Sequence, residues 1–120
     1  MEFEKLLLEI QATRAGWLVA KPPVLRGVSG ATHKFSFLVS KWSVNQAFDI
    51  YDNVTDIEIL RSFLKKIDTG ASVDVICVKG RCSSSAEALA QEYGIRVLKA
   101  ADPVTLIQSV LLKVPNAQAS

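Results

Sequence analysis

"SVDVICVKGRCSSSAEALAQEYGIRVLKA", Ser72 to Ala100, is the stretch that decides the fold. Its opening, Ser72–Lys79, is rich in β-branched residues and reads as a strand buried on both faces, as interior strands of α/β sheets are. The serines from Ser83 to Ser85 offer capping hydroxyls to a short helix over "AEALAQEYG", which Gly94 ends. "IRVLKA" then returns as a second strand. A strand, a helix and a strand within so short a span call for a right-handed crossover and a parallel pair.

Upstream, Phe3, Leu6, Leu7 and Ile10 recur at helical spacing beside Glu4, Lys5, Glu9 and Arg14, so residues from Glu2 to about Gly16 form an amphipathic helix. The run "WLVAKPPVLRGVSG" contains Pro22 and Pro23, which lack amide donors and restrict any strand there to an edge. In "THKFSFLVS", Phe35, Phe37 and Val39 alternate with Lys34, Ser36, Leu38 and Ser40 and are expected on opposite faces of one strand. After a turn at "KWSVNQ", "AFDIY" forms the next strand and stops at Asp52 and Asn53. Those strands look antiparallel, so the sheet is expected to be mixed.

Between Thr55 and Lys66, Ile57, Leu60, Phe63 and Leu64 mark an amphipathic helix, with Thr55 and Glu58 spaced for a capping box. Asp102 and Pro103 open a last helix whose apolar side is Val104, Ile107, Val110 and Leu111. The expected organisation is a single α/β domain over residues 1–114, a mixed central sheet flanked by helices, with a flexible tail at 115–120.

A chain of 120 residues with 49% hydrophobic and 22% charged residues can bury one core and is not disordered. No apolar run reaches the roughly 18–20 residues that span a bilayer, and "MEFEKLLLEI" is acidic where a signal peptide is basic. The expectation is a soluble cytoplasmic protein without a membrane partner. Cys77 and Cys82 are expected as free thiols, too few for a four-cysteine zinc site. A net charge of +2 is too mild to identify a nucleic-acid partner by itself.

Single residues leave several functions open. Asp49 lies in an apolar strand, where a carboxylate is costly unless paired or hydrated. His33, the one histidine, has no nucleophile pattern around it and reads as a residue at a strand start. Gly27 and Gly30 read as a turn, because "GVSG" lacks the lysine and spacing of a phosphate-binding loop. Lys21, Arg26, His33, Lys34 and Lys41 lie along one stretch with Trp17 and Trp42 on its flanks. That combination suits phosphate and base contacts with DNA, and equally a solvated face with two half-buried rings.

The order of elements, with "FEKLLLEI" on the first helix, "GVSGATHKFSFLV" and "AFDIYD" on successive strands and "AEALAQEYGIRVL" near the end, resembles the restriction-endonuclease-like superfamily. It is most similar to the branch of Mrr-type restriction enzymes and archaeal Holliday junction resolvases. The likeness runs from Phe3 to Lys99. It implies a metal site in which a helix carboxylate, a strand aspartate and a Glu-x-Lys pair hold Mg²⁺ and activate water. Residue by residue, the helix carboxylate falls on Glu4 and the Glu position on Asp49. The strand aspartate is replaced by Ser36 and the lysine by Tyr51, which marks the site as degenerate. Lys34 or Lys41 would be candidates for a displaced ammonium.

The resemblance also implies a symmetric homodimer, for which "FLKKIDTG" or the last helix could supply the surface. Three functions follow as expectations. The first is a nuclease-fold domain without catalysis or cofactor, binding DNA or serving in assembly. The second is a divergent Mg²⁺-dependent DNA endonuclease using Glu4 and Asp49 as catalytic and metal-binding residues. The third is a protein-interaction subunit that touches no nucleic acid.

Overall fold

The computed structural model describes the backbone of residues 2–119 and the side chains of residues 5–112. The chain runs α1 (Glu2–Arg14), β1 (Leu18–Val19), β2 (Val24–Arg26), β3 (Thr32–Lys34), β4 (Phe37–Lys41), β5 (Val44–Val54), α2 (Asp56–Thr69), β6 (Ser72–Cys82), α3 (Ser84–Glu92), β7 (Arg96–Lys99) and α4 (Pro103–Ala119). Five strands form one mixed sheet in the order β1-β4-β5-β6-β7, and β2 and β3 make a separate antiparallel ribbon. The β5-β6 and β6-β7 pairs are parallel, so the segment Ser72–Lys99 is the strand-helix-strand unit its composition predicts.

Two cores separate at the sheet. On one face Phe37, Val39, Phe48 and Ile76 pack against Leu8 and Ala12 of α1 and Ile107 and Leu111 of α4. On the other, Val54, Val75 and Cys77 pack against Ile59 of α2 and Ala86 and Ala90 of α3. Among the described residues no helix is long and apolar enough to cross a membrane. The Ser83 hydroxyl accepts from the Ala86 amide at 3.1 Å and caps α3, and the Thr55 amide donates to Glu58 Oε1 at 2.7 Å at the start of α2.

Four expectations need correction or extension. "THKFSFLVS" is not one strand: the Phe35 amide donates to the Pro23 carbonyl in the ribbon, whereas the Ser36 amide donates to the Phe48 carbonyl in the main sheet. The chain changes sheets between them, so the alternation breaks. Phe35 joins Leu38, Ala47 and Val73 on the α2 side, apart from Phe37 and Val39.

β5 does not stop at Asp52 and Asn53. It continues to Val54 because β6 accommodates extra residues between the pairs Tyr51↔Cys77 and Asn53↔Arg81, with Gly80 at φ 74° in that bulge. The expected tail, 115–120, lies outside the residues whose side chains are described, and the backbone of α4 runs through Ala119.

The fourth correction concerns α2. Its apolar periodicity makes a helix, but Ile57, Leu60 and Leu64 face outward at 57, 42 and 58% exposure, and only Phe63 of the expected set is half-buried, stacked on Tyr93 of α3. Ser62 is fully buried instead, flanked on the inward side by Glu58, Lys65 and Thr69. The helix sets Ile59, Phe63 and a polar stripe on the sheet side and turns Ile57, Leu60 and Leu64 to solvent.

Candidate functional site

Beside the buried Ile59, the polar residues on this side of α2 meet Asp49. β5 projects Asp49 to the α2 side of the sheet, where its residue is 3% exposed, and a carboxylate so placed requires donors. Lys65 Nζ donates to Asp49 Oδ1 at 2.8 Å and the Ser62 hydroxyl donates to Oδ2 at 2.6 Å. The Lys65 ammonium also donates to the Lys34 carbonyl at 2.8 Å and lies 4.7 Å from the centre of the Phe35 ring, so it fastens helix, sheet and ribbon at one point.

Tyr51, two residues along the same face, places its hydroxyl 3.3 Å from Ser62. Burial holds its phenol above the usual range, and the charges of Asp49 and Glu58 add to this, while the Ser62 hydrogen bond opposes it. Every partner of Asp49 is thus internal to the fold. The ammonium expected from Lys34 or Lys41 comes from Lys65, whose signal in the sequence was the polar stripe Glu58, Ser62, Lys65 and Thr69 at helical spacing.

Ser36 opens on the other face. With Lys5 and Leu8 of α1, Ile50 and Asp52 of β5, Val78, and Val104 and Ile107 of α4, it lines a cleft of about 380 Å³. Strand alternation therefore brings Ile50 and Asp52 beside Ser36, and sends Asp49 and Tyr51 to the opposite side of the sheet. The expected constellation of Ser36, Asp49 and Tyr51 does not assemble. Glu4 belongs to α1 next to Lys5, and its side chain lies outside the described residues.

The donors described in this cleft do not fit Mg²⁺. The Ser36 hydroxyl is neutral and already accepts from the Ile50 amide at 2.9 Å. Asp52 is the one carboxylate among the cleft residues described, and it faces Lys79 at 3.9 Å. A hard divalent cation takes several anionic or carbonyl oxygens. Among the described residues no group of three or more His, Cys, Asp or Glu could hold a metal ion.

The basic stretch divides in the same way. Lys21 pairs with Glu9 of α1 at 2.6 Å. Lys41 Nζ donates to the Ala15 carbonyl at 2.9 Å, just past the end of α1, and lies 5.3 and 4.9 Å from the ring centres of Trp17 and Trp42. The tryptophan-lysine combination is thus a helix terminus closed by a cation over two rings. Arg26 and Lys34 stay exposed on the β2-β3 ribbon, and their side chains form no ion pair among the described residues.

His33 turns inward to Asp68, a residue the sequence did not single out: Nε2 lies 2.6 Å from Oδ2. The Ser29 amide donates to Asp68 Oδ1 at 2.9 Å and the Ser29 hydroxyl to Oδ2 at 2.7 Å. Serine and histidine both bind the carboxylate and not each other, so the trio ties the 27–31 turn to the end of α2 and lacks the nucleophile-base contact of a catalytic triad.

Hydrogen bonds from Ser29 and His33 bring the Asp68 pKa down to about 2. A carboxylate more acidic in the folded state contributes stability that is complete above its unfolded pKa and is lost as pH falls through the folded one. The 27–31 turn is therefore expected to stay docked at pH 5 and to detach between about pH 4 and pH 2. Amide exchange at Ser29, measured against pH, reads this directly. An Asp68→Asn variant should show the loss already at neutral pH.

Asp74 is a further buried carboxylate that the sequence left unremarked. Arg96, opposite it in the parallel β6-β7 register, donates from Nη2 to Oδ2 at 2.7 Å, and this bond raises the Arg96 pKa. The pair fixes the register of an edge strand.

No family model matches the sequence, and no curated protein matches it. Among solved structures, the crystal structure of a protein of unknown function, AF1548, is similar to this chain with a TM-score of 0.58 at 10% identity. The match covers 78% of this chain and 54% of that one, so this chain spans about half the length of that structure. At that identity the likeness shows the fold alone: a single α/β domain with a mixed five-stranded sheet flanked by helices.

Proposed function

We propose that this chain is a non-catalytic assembly module on a restriction-endonuclease-like scaffold. The observation that carries the reading is the fate of Asp49. The strand carboxylate best placed in sequence to serve a metal is bound by Lys65 and Ser62 on the α2 side, while the cleft on the α1 side holds Ser36, Ile50 and Asp52. The absorption of His33 and Lys41 into internal contacts, with Lys21 engaged in a surface ion pair to Glu9, favours assembly over DNA binding.

The test is incubation of the purified protein with duplex and four-way-junction DNA in Mg²⁺ and in Mn²⁺. The expected result is intact DNA, and only weak binding that fades with salt, as Arg26 and Lys34 on the exposed ribbon allow. Metal-dependent cleavage that disappears in Asp52→Ala or Asp49→Ala would overturn the reading.

A further inference from the structure

The cleft on the α1 side lies where the parallel part of the sheet ends. Ile50 and Asp52 sit in the second half of β5, Val78 in the second half of β6, and Ala101 just past the end of β7. A crevice at the carboxyl ends of parallel strands is the usual ligand position of open α/β sheets. The opening turns of α1 and α4 close its sides with Leu8 and with Val104 and Ile107, and Phe37 of β4 completes the apolar walls. Ser36 and Ala101 are small and leave space between these walls, about 380 Å³ in all, which is the size of a small-molecule site.

Three polar groups line this apolar space. Lys5 of α1 is exposed, and its ammonium forms no ion pair among the described residues. Asp52 is exposed too, and its one charge contact among them is with Lys79 at 3.9 Å, a loose surface pair. Lys5 and Asp52 thus bring opposite charges to one cleft without pairing with each other. The Ser36 oxygen accepts from the Ile50 amide at 2.9 Å, and its own proton has no acceptor among the described residues, so it remains a donor inside the cleft. We propose that the cleft binds a free α-amino acid with a large apolar side chain, its carboxylate meeting Lys5, its ammonium meeting Asp52 and its side chain entering between Phe37, Ile50 and Ile107. Charge complementarity selects this occupant. An apolar acid without the ammonium sets a like charge beside Asp52, and an apolar amine without the carboxylate sets one beside Lys5. The inference goes beyond the assembly reading, which stands whether or not the cleft takes a small molecule.

Titration of the isotope-labelled full chain with L-phenylalanine and with L-leucine, followed by amide chemical shifts, tests it. Saturable shifts are expected at Ile50, Val78 and Val104, and none at Ala86 and Ala90 of α3 on the opposite face. Lys5→Gln and Asp52→Asn, both at exposed positions, should each raise the dissociation constant for L-phenylalanine about tenfold, the effect of losing one charged hydrogen bond. Phenylpropionate, which lacks the ammonium, should bind the wild type about tenfold more weakly than L-phenylalanine and should lose nothing further in Asp52→Asn. Glycine, which has no apolar side chain, should not bind. No saturable shift with either L-phenylalanine or L-leucine up to about 10 mM would overturn the proposal. So would phenylpropionate or phenethylamine binding as tightly as L-phenylalanine, which would show that Asp52 or Lys5 takes no part.

Discussion

Lys65→Met is expected to destabilise the fold by about 3–5 kcal/mol, whereas Asp49→Val/Lys65→Met should lie within about 1 kcal/mol of wild type. The single change leaves a nearly inaccessible carboxylate with only the Ser62 hydroxyl for a donor. It also leaves the Lys34 carbonyl without the ammonium that bonds it. The double change removes the charge together with its partner and fills the space with side chains of similar bulk, on a strand that favours β-branched residues. Urea unfolding midpoints of the two singles and the double make a thermodynamic cycle, and the coupling should be large and favourable.

The same cycle bears on function. If Asp49 were a metal ligand, Mg²⁺ would raise the wild-type midpoint through binding to the folded state and would fail to do so in the double variant. The expected midpoint is the same with and without the ion for both proteins. A cation-dependent midpoint in the wild type alone would show that the carboxylate is reachable from solvent and used there. A double variant as unstable as Lys65→Met would show that α2 docks through something other than this pair.

The sequence made the elements legible more readily than their facing. The strand-helix-strand unit from Ser72 to Lys99 follows from composition and capping, which act locally, and its parallel pairing follows from its length. The contacts of α2 include a residue seven positions before it begins. Periodicity finds Ile57, Leu60 and Leu64 on one side of a helix, but the side that meets the sheet carries Ile59, buried in the core, together with Ser62 and Lys65, which supply the donors that Asp49 needs. Likewise the parity of Phe35 and Phe37 was lost at a sheet change that no single-strand pattern encodes. The placement of Ser36 beside Ile50 and Asp52 depends on register between strands, a long-range quantity. Asp49 itself was legible as a carboxylate in need of a partner; the partner was not, because Lys65 lies 16 residues away on another element.

Gly27→Ala is expected to be the most damaging single-methyl change in the turn that meets α2, at about 1–3 kcal/mol, the range for an overpacked site. The backbone at Gly27 is not in the left-handed region, so the cost is steric. A Cβ built there falls 1.9 Å from Asp68 Oδ2 and 2.2 Å from its Cγ. A free side chain would step aside at little cost, but this one is held by the Ser29 amide, the Ser29 hydroxyl and His33. The Gly27 amide also donates to the Ala31 carbonyl at 2.8 Å, and the Val28 amide donates to the Asp68 carbonyl at 2.9 Å, so the turn cannot drift outward without breaking its own backbone bonds. The expected signature is a lowered urea midpoint together with fast amide exchange at Val28 and Ser29, while β6, in the sheet interior, keeps its protection. Gly27→Ala/Asp68→Gly, which clears the space, should recover less than Gly27→Ala loses, because the donors of Ser29 and His33 then have no carboxylate to meet. Full recovery would mean that the clash alone carries the cost and that the Asp68 hydrogen bonds do not hold the turn.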